Sequence, residues 1–447
     1  MQNLPANVLS YLSKHLTENY EIEWQANKGI NNVIVIPAIA EYDNIEALLK
    51  SLSKNDLVFF PSSLILFVIN NSLTSVDDIK EDNLNSLNLL RSIIGVNKIN
   101  DFSKEIINSG LQVGLIDASS EGKELNTKQA GVGLARKIGM DLALTTFDYS
   151  KDTKNLIICL DADCEVSQTY LTNIVNDFNK NKHSVAVVNF EHPIDGTDEY
   201  NAAVICYEIF LRYYVAGLRF AGSYYAFHTI GSTMMCDHNA YIKIGGMSKR
   251  KAAEDFYFLE KLAKNNPINK IDSAKVYPSK RSSWRVPFGT GQRVTRFLSK
   301  TQDEYLLFDP AVFGILKEWL EIYNSDAISD PQDVLNQAKE IHHELYYFLL
   351  QNNYPKQWEK ILSNTKSGRQ LTHQKKIWFD GFKTLKLIHH LRDTAFPEIN
   401  MFDALDLFFI KLGINKSIDR NKVDIPELNI QKEYLQLLRN LDEGIAF

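Results

Sequence analysis

The stretch NLIICLDADCE, residues 155–165, sets the apolar run LIICL directly before Asp161 and Asp163. A short apolar run closed by acidic residues reads as a strand buried on both faces, its carboxyl end opening into a polar turn. The pattern recurs. VIVIPA at 33–38 closes on Pro37 and Ala38, LILFVI at 64–69 runs into Asn70, Asn71 and Ser72, and two more strand candidates lie at 111–116 and 184–190. Helical spacing separates them, as at Leu134, Ile138 and Leu142. Strands alternating with helices predict an α/β fold, a Rossmann-like, mostly parallel sheet with flanking helices. Ligands of such sheets sit beyond the carboxyl ends of the strands, where residues 37–41, Asn70, Asp161 and Asp163 all fall.

Outward from this core the pattern changes. Val8, Leu12 and Leu16 make a helical stripe, so residues 1–30 are expected to form an N-terminal helical extension to an α/β domain at 31–300. From about 302 strand-like runs become scarce and amphipathic segments such as QAKEIHHELYYFLLQNN dominate, which predicts a helical region at 301–447.

Composition narrows the function. Of 447 residues, 49 are Lys or Arg and 55 Asp or Glu, a net charge of −6, which argues against a nucleic-acid partner while leaving room for a local basic stretch. The four cysteines lack the paired short spacing of zinc knuckles or disulfide frameworks, so a reducing, cytoplasmic setting is expected. The start lacks a basic region followed by a continuous apolar one, as a secretory signal would need. The most apolar long segment, residues 201–220, is interrupted by Glu208, Arg212 and Arg219, so no transmembrane segment is expected, although contact with a membrane surface stays open.

Four motifs carry chemistry. Were the chain extended through Asp161 and Asp163, side chains two apart would share one side and could approach a hard divalent ion, Mn2+ or Mg2+, with substrate phosphates completing its shell. An ordinary acidic turn is the alternative. In IGGMSKRKAAEDFYFLEKLAK, residues 244–264, Glu254 and Asp255 stand at a helix start, either as favourable dipole placement or with Asp255 as a general base. In KQAGVGLARKIG, residues 128–139, a lone Gly-x-Gly fits helix packing, while Arg136 and Lys137 can lie near phosphates. In KRSSWRVPFGTGQR, residues 280–293, Arg281, Trp284, Arg285 and Arg293 suit a cover closing on a diphosphate, or a solvated basic loop. Among the histidines, His342 with His343 and His389 with His390 split over different helix faces and chelate poorly. For His228 and His238 a structural role is the simpler reading.

The order VIVIPAIAE, VINNS, GVGLARKIG, LDADCE, IGGM and AEDFYF resembles the GT-A fold glycosyltransferases, especially glycosyltransferase family 2, over residues 33 to about 295. The resemblance implies transfer of a sugar from a nucleotide-diphosphate donor to an acceptor hydroxyl. It puts Pro37, Ala38, Glu41, Asn70, Arg136 and Asp161 at the donor, Asp163 with Asp161 on the metal, and Asp255 beside Glu254 as the base of an inverting reaction. Arg281, Trp284, Arg285 and His228 would serve the lid or acceptor. Departures from the family pattern are Asn70 where an Asp often reads uracil, AIAE in place of AYNE, and the absence of any histidine between His238 and His342. GQRVTRF lacks the Trp of processive synthases, which implies a non-processive enzyme. A retaining transferase of the same fold and a catalytically silent binding protein are the alternatives. A Rossmann dehydrogenase fails for want of the glycine pattern after the first strand.

Overall fold

The computed structural model describes residues 4–17, 19–25, 29–279, 290–325, 330–414, 418–421 and 423–444. The described residues fall into two compact units, those within Met1–Pro193 and Thr229–Lys280, and those within Ile194–His228 and Gly289–Phe447. A boundary near 300 therefore divides the second unit's own helices, because residues 194–228 group with the C-terminal ones.

Among the described residues the first unit is built on a nine-stranded sheet: β1 Glu23–Trp24, β2 Asn32–Ala38, β3 Ser63–Asn70, β4 Gln112–Ala118, β5 Leu156–Cys159, β6 Glu165–Val166, β7 Val185–Phe190, β8 Met234–Asp237 and β9 Asn269–Tyr277. Their order is β1-β4-β3-β2-β5-β8-β7-β9-β6. The run β4-β3-β2-β5 is parallel, β8 is inserted antiparallel to both β5 and β7, and β9 is parallel to β7. β2 and β3 are buried at every position, as strands covered on both faces must be. Helices cover the sheet. Gly139 lets the helix Val132–Ala143 press close, since a Cβ there would lie 2.9 Å from Val68 Cγ2.

The N-terminal segment is part of this unit. The helix Ala6–His15 buries Val8, Tyr11 and Leu12, and β1 adds to the sheet beside β4. Tyr11 donates to Asp141 at 2.8 Å, Tyr241 donates to it at 2.6 Å, and Lys137 pairs with it at 2.7 Å. Asp141 is fully buried and needs these donors. Lys137, read from the sequence as free for a phosphate, is held there.

Among the described residues the second unit has helices and, besides them, a two-residue pairing of Leu306–Leu307 with Ile399–Asn400. Its core gathers Trp319, Tyr323, Tyr354, Trp358 and Phe379 with the apolar side of the helix Asp198–Phe220. The charges that interrupt that helix are buried and matched. Glu208 meets Arg212 at 2.8 Å and Arg439 at 2.8 Å, and Arg212 reaches Asp442 at 2.5 Å. Among the described residues, no helix is long and apolar enough to cross a membrane.

Candidate active site

The carboxyl ends of β2, β3 and β5 bring most of the expected donor-side residues to one edge of the first unit. Pro37 and Ala38 end β2. Ala40 then turns left-handed, at φ 50°, and Glu41 begins the helix Tyr42–Ser53. Asn83 holds this turn by accepting from the Ala40 N–H at 2.9 Å and donating to the Asn70 carbonyl at 3.0 Å. The Asn70 amide donates to the Ala38 and Val68 carbonyls at 2.9 and 3.2 Å. Its neighbour Asn71 is buried with neither amide atom hydrogen-bonded. Asn71 stands one place beyond the residue singled out in the sequence, inside the same VINNS.

The chain is not extended through Asp161 and Asp163. Cys164 N–H donates to the Asp161 carbonyl at 3.2 Å, closing a turn with Ala162 buried at its corner. Asp161 and Asp163 are both partly exposed, one on either side of that buried corner. Hard oxygens of this kind suit Mn2+ or Mg2+. Among the described residues no group of three or more His, Cys, Asp or Glu could hold a metal, so the two aspartates fit such an ion only as partial ligands, with oxygens from elsewhere.

Arg136 is the hub. It projects from the helix Val132–Ala143, is 2% exposed, and bonds Asp161 through Nη2 and Glu254 through Nη1, while its Nε has no hydrogen-bond partner. Glycines make the room: a Cβ on Gly231 would lie 2.6 Å from Arg136 Nη1, and one on Gly133 would run into the Arg250 carbonyl and lie 2.9 Å from that of Ser248. The Gly-x-Gly of the sequence thus serves close packing of this helix against the segment leading to Glu254.

Glu254 and Asp255 open the helix Glu254–Asn265 after Ala253, which is left-handed at φ 55°. Alanine in this conformation is strained, and such strain is typical of functional turns. Glu254 is 3% exposed; burial pushes its pKa up to about 7, with Arg136 pulling it down and Asp255 pushing it further up. Burial likewise raises Asp255, against Arg136 and the Phe256 N–H, which donates to Oδ1 at 2.7 Å. The helix N-terminus would favour the charged form. Burial outweighs it at both residues.

His228 lies in the helical unit, where Nε2 is 2.7 Å from Asp442 Oδ2. His238 stacks edge-on against Tyr149 at 5.3 Å, and burial lowers its pKa. Arg293, in the helix Thr290–Ser299, pairs with Glu304 and lies over the Phe210 ring. Arg281, Trp284 and Arg285 lie outside the described residues.

Residues 99–245 match the model of Glycosyl transferase family 2, a third of the chain that runs from before β4 through β8 and includes Arg136, Asp161 and Asp163. Over that stretch the chain is similar to Glycosyl transferase family 2, in line with the resemblance read from the sequence. Glu254 and Asp255 lie beyond the matched stretch. No curated protein matches. Among solved structures, S. aureus TarS 1-349 in complex with UDP-GlcNAc is similar at 12% identity and a TM-score of 0.38, over 81% of this chain and 92% of that one. The same protein in complex with UDP is similar at 14% identity and a TM-score of 0.35, over 93% and 91%. Likeness at these values carries no ligand or reaction over to this chain.

Proposed function

We propose that the chain transfers a sugar from a nucleotide-diphosphate donor to an acceptor hydroxyl, with inversion and without processive elongation, and that Asp255 takes the acceptor proton. The observation that carries this reading is the bridge made by Arg136, which ties Asp161 from the end of β5 to Glu254, the neighbour of Asp255. The raised pKa of Asp255 supports its role, since a carboxylate lifted by burial is a stronger base than an exposed one. Inversion follows from a base working on the face opposite the departing diphosphate.

Asp163, with Asp161 assisting, would hold Mn2+ or Mg2+, whose charge when bound offsets that of a diphosphate. Pro37, Ala38, Glu41 and Asn70 line the side on which the nucleotide would lie. Arg136, with two carboxylates on its guanidinium, serves as the organiser of the acids in place of the phosphate ligand expected from the sequence.

A thermal-shift panel of nucleotide sugars with and without Mn2+ tests this. A donor at a hundredfold excess over its Kd stabilises the native state by about 2.7 kcal/mol. Asp163→Ala should abolish the Mn2+-dependent part, and Asp255→Asn should keep binding while losing turnover. If no nucleotide sugar shifts the wild type under either condition, the donor assignment fails; a retained anomeric configuration in the product would remove Asp255 as base.

A further inference from the structure

We propose that the helical unit docks on an anionic lipid surface through a basic and aromatic face formed by the helices Tyr354–Ser363, Gly368–Trp378 and Gly381–Thr394 with Tyr224 beside them. Between Lys356 and Lys386 the chain carries eight Lys or Arg and only two acidic residues, Glu359 and Asp380, in a protein where acids outnumber bases 55 to 49. This local reversal of sign is the footprint of an anionic partner. Lys356, Lys360, Lys366, Arg369 and Lys386 are exposed, and Lys376 and Lys383 half-buried. Lys375 is excluded from the face, since it is buried, donates to the Ser325 carbonyl at 2.7 Å and lies over the Trp358 ring.

The aromatic residues decide which anionic partner fits. Lys376 lies over Tyr224 at 5.1 Å, Lys383 over Trp378 at 4.9 Å and Lys386 over Phe382 at 4.6 Å. Tyr224 is 47% and Phe382 37% exposed. The neighbouring Tyr225 fixes the arrangement: its hydroxyl donates to the Lys376 carbonyl at 2.8 Å, and a Cβ on Gly381 would lie 3.2 Å from its ring. A soluble polyanion would be served by the cations alone. Rings displayed beside lysines, with aliphatic stems that let the ammonium groups reach outwards, match the headgroup layer of a bilayer, which removes the rings from water while phosphates meet the lysines. This inference is independent of the catalytic reading.

Flotation of the full chain with vesicles tests it, comparing phosphatidylcholine alone with phosphatidylcholine containing phosphatidylglycerol. Binding is expected only to the anionic vesicles and should weaken as salt shortens the screening length. Lys376→Gln, Lys383→Gln and Lys386→Gln should each weaken it roughly fivefold, and Phe382→Ser should weaken vesicle binding without changing retention on soluble polyphosphate. Phe382 and Lys386 are exposed, so these two variants keep the test valid if the half-buried lysines prove needed for folding. Equal binding to both vesicle types, unchanged binding by the Lys386 and Phe382 variants, or capture of polyphosphate with no vesicle binding would each overturn the proposal, the last by giving the face to a soluble polyanion.

Discussion

Replacing Arg136 by Met removes the cation that Asp161 and Glu254 share and leaves a side chain of similar reach. Asp161, one-third exposed, can turn to water. Glu254 cannot, because its side chain is almost wholly enclosed. Removing one partner of a buried pair costs about 3–5 kcal/mol while the other stays charged. Glu254 escapes part of this by taking a proton, since burial already holds its pKa near 7 and Arg136 is the group that draws it down. In the wild type the unfolded chain releases this proton first, so stability contributed by Glu254 falls as pH rises from the ordinary carboxylate range through the native pKa. With Arg136 gone the native pKa moves higher and the fall continues to higher pH. The gap between wild type and Arg136→Met should therefore be small near pH 6 and widen by about 1.4 kcal/mol per unit above about pH 7, up to the ceiling just given. Urea unfolding followed by tryptophan fluorescence at several pH values measures it. Adding Glu254→Gln to Arg136→Met should flatten the dependence. A gap of equal size at every pH, or a double variant with the same slope, would refute the assignment of Arg136 as the partner that keeps Glu254 charged.

Gly231→Ala should destabilise by about 1–3 kcal/mol by pushing a methyl group into the Arg136 guanidinium, and most of that loss should vanish in an Arg136→Met background, read as a non-additive change in Tm. Gly133→Ala meets backbone carbonyls that cannot swing aside, so its loss should persist in the same background. Ala253→Gly should raise stability by up to about 1 kcal/mol by relieving a left-handed alanine, seen as a higher urea midpoint with unchanged slope. Asp442→Asn strips a full charge from the cluster of Arg212, Arg219 and His228, and should destabilise the helical unit by about 3–5 kcal/mol, visible as a shift in the transition reported by Trp319 and Trp358.

The central strands were legible because burial on both faces forces unbroken apolar runs, and all five expected runs are strands within a residue or two. β8 was not, since MMCD lacks β-branched residues, and β9 was not, since NKIDSAKVY is polar at most positions and buries only Ile271, Ala274 and Val276. The acids of the site could be picked out one by one from their places at strand and helix ends. Their meeting could not, because Arg136 joins partners 25 and 118 residues away, a closeness that only the packed fold creates. The turn at residues 161–164 was one of two readings left open, for a local reason: an apolar run sets where a strand stops but not how the chain leaves it. His228 was read with the α/β domain because it falls inside the expected 31–300 stretch, whereas Asp442, its partner in space, lies 214 residues on.

The long helix Asp198–Phe220 carries Glu208 and Arg212 into a dry interior whose matching charges, Arg439 and Asp442, are supplied by the helix Leu428–Asp442. On the ribosome the early half of this arrangement emerges more than two hundred residues before the late half. A nascent chain halted anywhere between them holds a helix that cannot be sequestered without stranding ions, so the helical unit matures only after translation reaches its closing segment. Fragments cut near residue 300 should accordingly be recovered aggregated or chaperone-bound, and co-expression of the missing piece should rescue them.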